Sequence, residues 1–137
     1  MKNLKGQEMV FELVLIFSIS LVIITILYSI FSSYGDYYNS SGLGDSLGKI
    51  RHLIAQNIIQ LAEKEADGSM IVKIPDRVIN EIYIVELSPA GLNVSAKRVS
   101  RFSNLYGLHE RFMLSGKVPS VNGRLTIYKT GNQIIIQ

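Results

Sequence analysis

Cysteine is absent from the 137 residues, which excludes disulfides and thiolate metal sites and leaves an oxidising exterior open. No alanine occurs before Ala55, and no Lys or Arg stands between Lys5 and Lys49. The stretch Leu13–Phe31 has no charge, no glycine and no proline. Signatures of chemistry are missing too: there is no phosphate-binding glycine loop, no His or Cys at metal spacing and no nucleophile elbow. Ser103, His109 and Glu110 supply the residue types of a hydrolytic triad, but His109 and Glu110, adjacent on an expected strand, would point to opposite faces. His52 has only His109 to join it as a metal ligand and reads as a helix-surface residue. No metal, no cofactor and no enzymatic activity are expected.

What is present is uneven. Hydrophobic residues make up 47% of the chain, and the N-terminal run lifts that average above the ordinary composition of the remainder. Met9–Phe31, interrupted only by Glu12, would measure about 35 Å as a helix at about 1.5 Å per residue, enough to span a hydrocarbon core of about 30 Å. Lys2 and Lys5 precede the run and nothing basic follows it until Lys49, so the positive-inside bias puts the N-terminus in the cytoplasm and everything after Tyr34 outside. Asn39-Ser40-Ser41 and Asn93-Val94-Ser95 are glycosylation acceptor triplets compatible with that side. A conventional signal peptide fits less well. Its apolar core is shorter, about 7–15 residues, and the one tolerable cleavage site near the end of this run is Ser33-Tyr34-Gly35.

The formal charge of +3 arises from 14 basic and 11 acidic residues, and two of those lysines lie ahead of the apolar run. Without them the chain is nearly neutral, so the charge gives no reason to expect nucleic acid as a partner. Lys97, Arg98 and Arg101 form the one concentrated basic patch, which reads first as a solvated loop or strand end and second as an anion site.

Immediately before the apolar run stands Lys5-Gly6-Gln7-Glu8, followed by Glu12. This resembles the leader of type IV pilin-like precursors, in the archaeal Lys-Gly-Gln form. The resemblance implies cleavage between Gly6 and Gln7 by a membrane prepilin peptidase on the cytoplasmic side, with the apolar helix retained as an assembly element. Gly6 suits an extended, accessible scissile backbone. Many such proteins carry Glu at the fifth mature position. Here that position is Phe11, with Glu8 second and Glu12 sixth, so which acid pairs with a neighbour is open. Glu12 either meets the new Gln7 amine of an adjacent subunit or sits at the headgroup level. Ser18, Ser20, Thr25 and Ser29 either permit close helix approach or bond their own helix carbonyls.

The segment after Tyr34 is rich in Gly, Ser, Asn and Asp and reads as a linker or weakened helix, with Tyr34, Tyr37 and Tyr38 suited to the membrane interface. Leu47, Ile50, Leu53, Ile54, Ile58, Leu61 and Ala62 then recur at helical spacing up to Gly68. From Met70 the period becomes two. Strands are expected at 70–74, 81–87, 92–99, 110–118, 124–129 and 133–137, with turns at Ser88–Gly91, Pro119–Gly123 and Thr130–Asn132.

The expected architecture is α+β: a leader 1–6, a transmembrane or filament-core helix 7–34, a linker 35–45, an amphipathic helix 46–67 and an antiparallel β sandwich or barrel over 68–137. The resemblance implies a major or minor subunit of an archaeal surface filament. Its partners would be copies of itself or related pilins, the prepilin peptidase, the membrane and a pilus assembly platform. It would sit in the cell membrane as a precursor and in an extracellular filament when mature. The alternatives are a non-polymerising single-pass surface protein with a β binding domain, or an accessory or stator component of the archaeal rotating filament.

Overall fold

The computed structural model describes the backbone of residues 4–97 and 99–137, and the side chains of those residues from Gly6 onward. The chain divides into two compact units, Met1–Tyr38 and Asn39–Gln137. One helix, α1 (Leu4–Glu63), contributes to both. The strands are β1 (Gly68–Lys73), β2 (Ile84–Ser88), β3 (Gly91–Ala96), β4 (Val99–Ser103), β5 (Met113–Pro119), β6 (Arg124–Thr130) and β7 (Gln133–Ile136). A short helix α2 (Leu108–Arg111) precedes β5, and a 3-10 turn, Ser120–Asn122, precedes β6.

The α+β class is as expected. The β domain is a single seven-stranded sheet in the order β1-β6-β7-β5-β2-β3-β4, and it is mixed rather than antiparallel throughout, because β5 and β7 run parallel. β5 changes partner along its length: Met113–Ser115 pair with β7, while Gly116–Pro119 pair with β2. Gly116 makes this possible. Its φ is 136°, and a Cβ there would collide with the Ile136 backbone.

Alternation along the strands sets the core. Val72, Val85, Leu87, Leu92, Val94, Leu114, Leu125, Ile127, Ile134 and Ile136 are buried on one face of the sheet. They share one cluster with Leu43, Leu47, Ile50, Ile54, Ala55, Ile58, Leu61 and Ala62 of α1. Leu53, expected in the helical stripe, is 42% exposed, and Leu43 and Ala55 are buried instead.

The linker expected at 35–45 is helical. Two of its glycines are packing positions. A Cβ on Gly42 would stand 3.3 Å from the Ile79 side chain, and one on Gly44 would run into the Arg101 guanidinium, whose Nε donates to the Gly44 carbonyl at 3.1 Å. Burial of Leu43 and Leu47 beside them offsets the helix cost of glycine, about 1 kcal/mol relative to alanine. A Cβ on Gly35 would meet nothing within 4 Å among the described residues.

α1 stops at Glu63 rather than near 66–67, and Gly68 opens β1. Lys129 accounts for the stop. Its side chain is buried, its ammonium donates to the carbonyls of Ala62 (3.2 Å) and Lys64, and it lies 5.4 Å from the Phe112 ring centre. A cation on the last free carbonyls of a helix satisfies them and complements the negative end of the dipole.

The run 92–99, expected as one strand, is broken into the β3–β4 hairpin. Ala96 pairs with Val99, and Lys97 takes φ 50° in the connecting turn. The strand expected from 81 begins at Ile84, and the one expected from 110 begins at Met113, after α2. The turns expected at 88–91, 119–123 and 130–132 are present.

A buried polar knot ties the 74–83 segment to the sheet. The Tyr83 hydroxyl donates to the Pro75 carbonyl at 2.5 Å. The Ser120 hydroxyl donates to the Asp76 carbonyl at 2.6 Å and accepts from the Tyr83 amide at 3.2 Å. Desolvation, reinforced by the nearby Asp76 charge, raises the Tyr83 phenol well above its ordinary value. A phenol pKa raised by folding contributes stability that is fully present below the unfolded-state value of about 10 and is lost as pH rises beyond it. The domain should therefore lose stability above about pH 10, and Tyr83→Phe should flatten that alkaline limb while costing about 1 kcal/mol at neutral pH. Urea unfolding at neutral and alkaline pH checks this. An alkaline limb unchanged in Tyr83→Phe would assign the loss to other groups.

Candidate functional site

In the first unit, the side chains from Gly6 to Tyr38 are all exposed, including Phe11, Phe17, Ile24, Tyr28 and Phe31, and the helix is long and apolar enough to cross a membrane. Such a surface is stable only when covered by lipid or by protein. No charge lies between Glu12 and Asp36, so the apolar surface is continuous around the helix.

Gln7, Glu8, Phe11, Glu12 and Leu15 line one side of the helix start. Glu8 and Glu12, four residues apart, are neighbours on that side. Two like charges there repel mildly. The Lys5 side chain and residues 1–3, which carry the rest of the expected leader, lie outside the described residues. Gly6 lies within α1, not in the extended backbone that the expected cleavage would require. Glycine is the poorest helix former after proline, and the site is in the first turn, where fraying is easiest.

Four hydroxyls along this helix are used internally. Ser18 donates to Val14, Ser20 to Ile16 and Thr25 to Leu21, each at 2.8 Å, and Ser33 donates to Ser29 at 2.9 Å. They therefore present small, satisfied surfaces rather than free donors. Tyr37 and Tyr38 meet edge to face at 6.1 Å.

In the second unit, Asn39 is exposed on α1. Asn93 is half-buried on β3, between Glu86 of β2 and Phe102 of β4. Both acceptor triplets thus sit in regular elements rather than in loops. Of the basic patch, Lys97 pairs with Glu81 at 2.5 Å and Arg101 is engaged by the Gly44 carbonyl; Arg98 lies outside the described residues. The structure brings Arg51 beside it, donating to the Phe102 carbonyl at 2.7 Å, with Lys49 and His52 around a shallow open depression. Arg51 and Arg101 tie α1 to β4.

A cleft of about 360 Å³ between the end of α1 and the 105–111 segment has a floor of Ile59, Ala62, Leu105 and Leu108, with Glu63 and Arg111 also lining it. Among the described residues no three His, Cys, Asp or Glu side chains are grouped as metal ligands. His109 and Glu110 fall on α2 rather than on a strand, and as consecutive helical residues they diverge by about 100°.

The sequence reading missed the buried Lys129. Its parity was the available signal, since Leu125, Ile127 and Lys129 alternate onto the same inward face. No family model, no curated protein and no solved structure matches this chain.

Proposed function

We propose that the chain is the precursor of a structural subunit of an archaeal type IV pilus-like surface filament, non-enzymatic and assembled through its N-terminal helix. The observation that carries this reading is the apolar helix, exposed on every face and headed by Lys5-Gly6-Gln7. Lipid covers the helix in the precursor, with the N-terminus cytoplasmic, and neighbouring subunits cover it in the filament. Cleavage before the helix, rather than after it, is what preserves it for the second role. The first turn of α1 unwinds for the peptidase, and the mature helix begins with the amine of Gln7 close to Glu8 and Glu12.

Processing tests this directly. The native protein should begin at Gln7 by mass spectrometry. Gly6→Val should leave the precursor uncut, and because a Cβ at Gly6 meets nothing within 4 Å, the substitution disturbs no packing of the chain itself. A native chain that begins at Met1 or at Asp36 would exclude this processing.

A further inference from the structure

The two edges of the sheet differ. At the β4 edge, the Phe102 carbonyl accepts from Arg51 and the Arg101 side chain lies over Gly44, so α1 guards that strand. At the other edge stands β1, whose central residues Met70, Ile71 and Val72 are apolar and whose one ladder partner among the described residues is β6. The Ile74 amide donates to the Gly123 carbonyl across from it, in register with the β1–β6 ladder. Alternation from Ile74 turns the backbone groups of Met70 and Val72 toward β6, and those of Ser69, Ile71 and Lys73 toward the open side. An open, unbulged apolar strand edge is a template for another strand.

We propose that β1 pairs antiparallel with β1 of a second copy of this chain, Met70 facing Met70 across a two-fold axis. The argument is self-complementarity. Hydrogen bonding requires that outward residues meet outward residues, and the same rule keeps the core faces of both sheets on one side. The register centred on Met70 sets Ser69 against Ile71 of the second copy. It also sets Asp67, held beside the strand by the Gly131 amide at 2.7 Å, against Lys73 of the second copy, and the symmetry repeats that charge pair at the other end. Both Asp67 and Lys73 are exposed. Residues 43–62 of α1 share the core of the sheet they cover, so a two-fold axis normal to the sheet reverses their direction in the second copy. The contact joins chains in which residues 43–62 run in opposite directions. It rests on the sheet alone, not on the filament reading, and does not depend on processing at Gly6.

The absence of native cysteine gives a clean test with the full-length chain in detergent. In this register Met70 is a non-hydrogen-bonded pair with Cα atoms about 4.5 Å apart, within disulfide range. Met70→Cys should form a disulfide dimer on mild oxidation, and Ile84→Cys, on a central strand, should not. In the Met70→Cys background, Lys73→Asp should slow cross-linking about fivefold by opposing two acids, and adding Asp67→Lys should restore it. Equal cross-linking of Met70→Cys and Ile84→Cys, no cross-linking of Met70→Cys, or no rescue by the charge exchange would overturn the pairing.

Discussion

Replacing Ile54 and Ile58 together by alanine should lower the stability of Asn39–Gln137 by about 4–8 kcal/mol, most of the total of about 5–15 kcal/mol available to a domain of this size. Both side chains have no exposed surface and lie one helical turn apart on the face of α1 that closes the core. Each truncation removes apolar contact and leaves a cavity between a helix and a sheet that cannot collapse onto it. Leu53→Ala is the internal control. Its side chain is 42% exposed on the same stretch of helix, and its loss should cost less than about 1 kcal/mol. Urea unfolding followed by far-ultraviolet dichroism compares the three proteins. A double variant within about 1 kcal/mol of wild type would mean that α1 is not the cover of this sheet.

The same comparison shows where the sequence spoke clearly. Inward positions of the strands were legible because period two survives wherever one face is buried, and the turns at 88–91 and 130–132 carried ordinary turn chemistry. The helix through Gly42 and Gly44 was not legible, because local propensity argues against it and the reasons lie far along the chain, in Ile79 and Arg101. The β3–β4 hairpin was hidden for a related reason. Lys97 adopts a left-handed conformation where asparagine or glycine is usual, and the alternation runs through the turn without a break. The parallel pairing of β5 and β7 depends on Gly116 meeting Ile136, a contact no local window contains. Of the candidate site, the apolar run and the Lys5-Gly6-Gln7 leader were legible as pattern and as resemblance. The internal use of Ser18, Ser20 and Thr25 needed coordinates.

The larger consequence concerns assembly. A helix held in lipid tolerates bulk on any face, because lipid has no fixed shape, whereas a helix packed among neighbours is constrained where small residues set the approach. Ser20 and Thr25 are exposed and bond only carbonyls of their own helix, so Ser20→Leu and Thr25→Leu leave the packing of the chain itself untouched and raise its hydrophobicity. Membrane insertion should be unchanged, and incorporation into filaments should fall by at least about tenfold. Glu12→Gln should do the same where its carboxylate pairs with the Gln7 amine of a neighbour, since the neutral amide loses that attraction. The measurement is the ratio of this chain in sheared extracellular filaments to this chain in membranes. The account predicts wild type abundant in the sheared fraction and Ser20→Leu confined to the membrane; wild type found in membranes alone would contradict it and leave a single-pass surface protein.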